Sequence, residues 1–66
     1  MNRLPLLHIY AYDTRYSVPQ WRTVDADPAQ AHTVAQQILD EHETYLGVEV
    51  WLEDQRLVEV RRGAKP

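Results

Sequence analysis

The sequence predicts an α+β domain of β-β-α-β-β order: one four-stranded antiparallel sheet with a single helix packed on one face. Three observations carry that expectation. A capped, amphipathic stretch near the middle of the chain reads as a helix. Two segments of alternating hydrophobicity precede it. A third stretch, "GVEVWLEDQRLVEV" over Gly47 to Val60, alternates, turns and alternates again, which is the pattern of a hairpin. Sixty-six residues leave room for one domain, spanning 1–66, with no internal repeat or linker. Its ordered core is expected over about residues 4–62, with residues 63–66 of the "RRGAKP" tail frayed.

The first strand is expected over 6–12, "LLHIYAY", where Leu7, Ile9 and Ala11 alternate with Leu6, His8, Tyr10 and Tyr12. "DTRYS" reads as a turn. The second strand falls within 18–26, "VPQWRTVDA", with Val24 and Ala26 on one side and Trp21, Thr23 and Asp25 on the other. Pro19 has no N–H for a ladder, so this strand is placed at a sheet edge or begins after Pro19. The helix is expected over roughly 28 to 45. Asp27 serves as N-cap, Pro28 as first helical residue and Gln30 as the third residue after the cap. Ala31, Val34, Ala35, Ile38, Leu39 and His42 form its apolar stripe, continued by Tyr45 and Leu46. Gly47 is the expected left-handed residue that ends it.

Two hairpin registers compete. A two-residue turn at Asp54-Gln55 would set Val50 opposite Glu59, mixing apolar and charged faces. A three-residue loop, Asp54-Gln55-Arg56, sets Leu52 opposite Val58, Val50 opposite Val60, Trp51 opposite Glu59 and Glu49 opposite Arg61. The second keeps the faces separate and is preferred, although its loop lacks the usual glycine. The inner face then consists of Leu7, Ile9, Ala11, Val24, Ala26, Val48, Val50, Leu52, Val58 and Val60, mostly small aliphatics. By the same parity Tyr10, Tyr12, Trp21, Trp51 and Leu57 project from the side away from the helix, rimmed by Glu49, Glu53, Glu59 and Arg61. A sheet covered on one side ordinarily carries polar residues on the other. Aromatic residues with a charged rim suit a partner-binding surface instead, and cross-strand pairing that merely stiffens the sheet is the competing explanation.

Composition narrows the function classes. The chain is 44% hydrophobic and 26% charged, which fits a folded globular chain and not a disordered one. No apolar run is long enough to span a bilayer. The N-terminal stretch "MNRLPLLHIYAYD" lacks a small-residue cleavage site and reads as a strand, not a signal peptide. Cysteine is absent, which excludes disulfides and thiolate zinc sites and points to a cytoplasmic location. The net charge of −3, the acidic neighbours of the aromatic face and the lack of lysine near the sheet argue against direct nucleic-acid binding. His8, His32 and His42 fall on three different surfaces, so neither a metal nor another cofactor is expected. His42 alone lies in the helix stripe, where it is either a packed core-edge residue or a pH-sensitive one. Catalysis finds no support: Ser17 is the only serine, and no phosphate-binding loop, HExxH or pair of carboxylates in an evident cleft occurs. Asp40 to Asp54 holds six acids and no base. Asp40, Glu41 and Glu43 sit at the negative end of the helix dipole, an unfavourable place, and form an alternative binding surface toward a basic partner.

The segment "A-x-x-V-A-x-x-I-L-x-x-H" followed by "G-V-E-V-W-x-x-x-x-R-L-V" resembles short uncharacterised bacterial proteins that end in a "VEVW…RLV" hairpin; the resemblance covers roughly residues 24 to 60. It implies the fold and a bacterial origin, and no activity. The β-β-α-β-β layout and the "V-x-A-x-x-x-Q-A" entry to the helix are also similar to some small phage anti-CRISPR proteins, which dock without catalysis on a large ribonucleoprotein. The expected function is thus non-enzymatic binding, in the cytoplasm of a bacterial or phage-infected cell. The partner is a protein or a second copy forming a homodimer, with inhibition of a nucleic-acid-processing complex through Asp40, Glu41 and Glu43 as the alternative.

Overall fold

The computed structural model describes residues 4–63. It contains β1 (Leu6–Asp13), β2 (Gln20–Asp25), a single 3-10 turn (Pro28–Gln30), α1 (Ala31–Glu41), β3 (Tyr45–Leu52) and β4 (Gln55–Arg61). The four strands form one antiparallel sheet in the order β2-β1-β3-β4, and α1 packs on one of its faces, chiefly over β3 and β4. The α+β class, the element order and the edge position of β2, starting after Pro19, follow the sequence pattern. Of the expected tail, residues 64–66 lie outside the described residues, and Gly63 ends the description in a turn with φ +74°.

The core is small and aliphatic. Leu7, Ile9, Ala11, Val48, Val50 and Val60 from the sheet meet Ala31, Ala35, Ile38 and Leu39 from the helix, with Tyr45 as the one buried aromatic. Val24, Ala26, Val34, Leu52, Leu57 and Val58 pack half-buried around them. Ala31 and Ala35 are almost wholly enclosed. Small residues at these positions let the helix axis approach the sheet, so short valines are enough to fill the gap.

The helix is shorter than its stripe suggests. Asp27 caps as expected, its carboxylate accepting the Ala29 N–H at 2.9 Å, but the first turn closes as a 3-10 turn. At the other end His42 turns extended (φ −131°, ψ 102°) and its Nδ1 lies 2.8 Å from the Ile38 carbonyl. Tyr45 then opens β3 and stacks on His42, with ring centroids 4.3 Å apart. Tyr45 and Leu46 fit a helical stripe, yet they fit an extended strand equally well, and pairing to β1 decides for the strand. Arg62, just past β4, closes the helix end: its guanidinium donates to the carbonyls of Leu39, His42 (2.7 Å) and Tyr45 (2.8 Å). It thereby supplies the cation that the acidic helix end lacks in its own sequence.

Gly47 is not the helix terminator. It lies inside β3, between Tyr12 and Arg61, with no left-handed φ. What it provides is close approach, since a Cβ there would sit 3.0 Å from the Val60 carbonyl oxygen and 3.5 Å from Arg61 Cγ. Next to it the β1–β3 ladder slips by one residue, so that Asp13 pairs with Tyr45 and Leu46 bulges into solvent.

The hairpin register also differs from the expected one. The turn is Glu53-Asp54, with Leu52 opposite Gln55 and Trp51 opposite Arg56. A one-residue bulge at Leu57 follows, after which Val50 opposes Val58 and Val48 opposes Val60. Glu49 therefore faces Glu59, not Arg61, and Trp51 faces Arg56, not Glu59. Glu53 itself takes the left-handed conformation (φ 55°) that a glycine would normally supply, at a cost of about 1 kcal/mol. The bulge restores the apolar faces and turns Leu57 against the core cluster, so Leu57 does not belong to the outer aromatic group.

One buried charge sits at the β1 end. The Asp13 side chain is inaccessible to water and accepts the Arg15 backbone N–H at 2.9 Å and the Arg15 guanidinium at 2.9–3.3 Å. Hydrogen bonding from Arg15 holds its pKa down to about 2, overriding the opposite effect of burial, with further help from the Thr44 side chain. On the edge strand, Arg22 lies opposite Ile9 and so projects on the helix side of the sheet while staying exposed.

Two outcomes follow from these contacts. Gly47→Ala forces the Val60 backbone to move and lowers stability by about 1–3 kcal/mol, measured by urea unfolding. Because the Asp13 pKa is depressed in the folded state, its contribution is present above about pH 4 and is lost as pH falls toward 2. Stability of the native chain declines across that window, and the decline is shallower in Asp13→Asn. An equally steep decline in the variant would assign the loss to other carboxylates.

Candidate aromatic sheet surface

The outer face of the sheet is built from alternate residues of all four strands. β1 contributes His8, Tyr10 and Tyr12, β2 contributes Trp21, β3 contributes Glu49 and Trp51, and β4 contributes Arg56, Glu59 and Arg61. The register places Tyr10 between Trp21 and Glu49, and His8 between Thr23 and Trp51. Sheet twist brings the rings together diagonally. His8 stacks on Trp21 with centroids 5.9 Å apart, and Tyr10 meets Trp51 edge to face at 6.4 Å.

Glu49 organises the centre. Its carboxylate accepts the Trp51 indole N–H at 2.9 Å and the Tyr12 hydroxyl at 3.1 Å. The Arg56 guanidinium stands 3.7 Å from Glu49 and 3.5 Å from Glu59, and so bridges two carboxylates that the register sets face to face. Glu59 takes its closer partner from Arg61, at 2.8 Å. Partial desolvation raises the Tyr12 phenol pKa, and the hydrogen bond to Glu49 and the charges of Glu49 and Glu59 add to this. The group is thus locked around one carboxylate that is only 12% exposed.

Exposure divides this face into an ordered centre and an open side. Trp51, Tyr10 and His8 are half-buried, whereas Trp21 remains 58% exposed despite its stack on His8. Between the strands lies an open hollow of about 450 Å³ lined by Tyr10, Tyr12, Trp51, Glu49, Pro19 and the turn carboxylates Glu53 and Asp54. A neighbouring hollow of about 350 Å³ is bounded by Tyr12, Leu46, Glu59 and Arg61.

Seven of the eight residues expected on this face, Tyr10, Tyr12, Trp21, Trp51, Glu49, Glu59 and Arg61, do share it; Leu57 does not. His8 was assigned to this side by parity but not to the binding group, and its stacking partner lies across the strand, where a linear pattern carries no signal. Arg56 was hidden because the expected register put it in the loop. The acidic run is separate. Asp40 and Glu41 are exposed on α1, their carboxylates accepting from the Gln36 and Gln37 amides at 3.0 and 3.5 Å, and Glu43 is exposed just beyond. They lie on the opposite side of the sheet from the aromatic group. Among the described residues no three His, Cys, Asp or Glu side chains are grouped to hold a metal ion, and no helix is long and apolar enough to cross a membrane.

Removing the Glu49 charge tests the lock. In Glu49→Gln the Tyr12 phenol titrates at lower pH than in the native chain, because both the acceptor and the nearby charge are weakened, and the Trp51 Nε1–H resonance moves; tyrosine-ring and indole NMR signals report both. An unmoved Tyr12 titration would leave desolvation and the Glu59 charge as its causes. No family model, curated protein or solved structure matches the chain.

Proposed function

We propose that this chain is a small, non-enzymatic protein-interaction module that engages a protein partner, or a second copy of itself, through the outer aromatic face of its sheet. The observation that carries the reading is the combination of order and exposure there: rings fixed by Glu49 and by mutual packing, beside a tryptophan left 58% exposed. Pre-ordered aromatic side chains lose little conformational freedom on binding, which is why Trp and Tyr serve as anchors in interfaces. A charged rim of Glu59, Arg56 and Arg61 surrounds them, as the polar border of an interface does. Stiffening of the sheet alone accounts for the Tyr10–Trp51 pair but not for the exposed Trp21. The cysteine-free composition fits action in the cytoplasm of a bacterial or phage-infected cell.

A second reading rests on the helix end. Asp40 and Glu41 are exposed and oriented by glutamine amides four residues earlier, an arrangement that suits docking on a basic surface of a nucleic-acid-processing complex. The layout resemblance to phage anti-CRISPR proteins points the same way.

Sedimentation velocity separates the cases. A dimer that Trp51→Ala dissolves identifies the second copy as the partner. For a monomer, the partner captured from the native host binds roughly thirtyfold more weakly to Trp21→Ala or Trp51→Ala, in line with loss of an anchor of about 2 kcal/mol. Binding that ignores both substitutions but weakens with salt and with Glu41→Lys would move the interface to the helix end.

A further inference from the structure

We propose that the hollow between Tyr10, Tyr12 and Trp51 is a receptor for a cationic side chain, a lysine or arginine of the partner protein; this rests on the reading of the aromatic face as an interface. Three kinds of observation converge. The walls are aromatic: three rings from β1 and β3 border a single open space of about 450 Å³. Its rim is acidic. Glu49, Glu53 and Asp54 line it and, among the described residues, no Lys or Arg does, so the described lining holds carboxylates without a cation. Its central carboxylate has acceptor capacity to spare. Glu49 receives one bond from Trp51 and one from Tyr12, and a carboxylate offers about four lone-pair sites.

Among the described residues, the basic group that pairs with Glu49 does not satisfy this demand. Arg56 approaches Glu49 only to 3.7 Å, shares itself with Glu59 at 3.5 Å and does not line the hollow. An occupant that complements both walls and rim needs an apolar stem to lie against rings and a positive head to reach carboxylates. Lysine and arginine side chains have that build. A neutral aliphatic side chain would leave the rim carboxylates desolvated without a partner, and an anionic one would be repelled by them. The turn contributes geometrically as well: the left-handed Glu53 brings two consecutive carboxylates, Glu53 and Asp54, to the mouth of the hollow.

The test uses the intact chain, 15N-labelled, titrated with Nα-acetyl-lysine methylamide, Nα-acetyl-arginine methylamide and the neutral Nα-acetyl-norleucine methylamide. The two cationic probes produce a saturable shift of the Trp51 Nε1–H that the Trp21 Nε1–H does not follow, and norleucine produces none. Affinity drops roughly three- to tenfold in Tyr10→Leu, and similarly in the Glu53→Gln, Asp54→Asn double variant, whose exposed turn positions spare the core. A norleucine shift matching that of lysine, the absence of any saturable shift at Trp51, or undiminished binding in the double variant each overturns the cation site. Those results leave the aromatic face itself standing, because it is judged separately by partner binding to Trp21→Ala and Trp51→Ala.

Discussion

The contact between α1 and the inner face of the sheet is what everything else in the structure depends on. An eleven-residue helix is about 16 Å long, enough to lie across part of a four-stranded sheet on one side and on no other. Ala31 and Ala35 bring it close, Ile38 and Leu39 fill the seam, and Leu7, Ile9, Val48 and Val50 are the aliphatics it seals from water. Because strand side chains alternate, committing these residues to the core commits their neighbours to the other face. The outer arrangement of Tyr10, Tyr12, Glu49 and Trp51 is therefore a geometric consequence of how the core is made. Arg62 secures the same contact from its end by holding three carbonyls at the point where the helix gives way to β3.

Alternation and helical spacing were enough to read the class, the element order, the inner face and most of the outer one from the sequence. The errors cluster where the chain leaves its regular period. Leu57 and Leu46 both sit at bulges, and a bulge adds one residue to a strand without changing the composition around it. On either side the pattern looks unbroken, so a register drawn through it comes out displaced. Gly47 misled for a related reason. A glycine at the end of an amphipathic stripe suggests a left-handed cap, but the same absence of a Cβ also serves a tight approach between strands, and only the pairing to Arg61 and the Val60 carbonyl distinguishes the two. The role of Arg62 had no local signal at all, since its acceptors are separated from it by about twenty positions.

The two candidate surfaces differ in what holds them. The acidic residues of the helix end rest on amide hydrogen bonds within one helix and are open to solvent. The centre of the aromatic group is tied between β1 and β3 by the Tyr12–Glu49 hydrogen bond and between β3 and β4 by the ion pairs of Arg56. As the proposed interface, such a group would recognise its ligand with little reorganisation, with selectivity set by fixed shape and charge. The two surfaces lie on opposite sides of the sheet, so occupation of one leaves the other free.

Arg22 has a bearing on how such a chain stays dispersed. Among the described residues β2 is an edge strand with no strand paired to one side of its backbone, the usual template for adding a foreign strand. Its approach is spoiled at one end by Pro19, which offers no N–H, and in the middle by a guanidinium carried on the side where an incoming strand would seek apolar cover. Growth by strand addition into open-ended fibrils is therefore discouraged at this edge. The pairing proposed for the aromatic face would, by contrast, use up the surface that drives it and close after a single encounter. A chain that leaves so much aromatic area in water thus has its route to polymerisation narrowed at β2 while its route to specific pairing stays open.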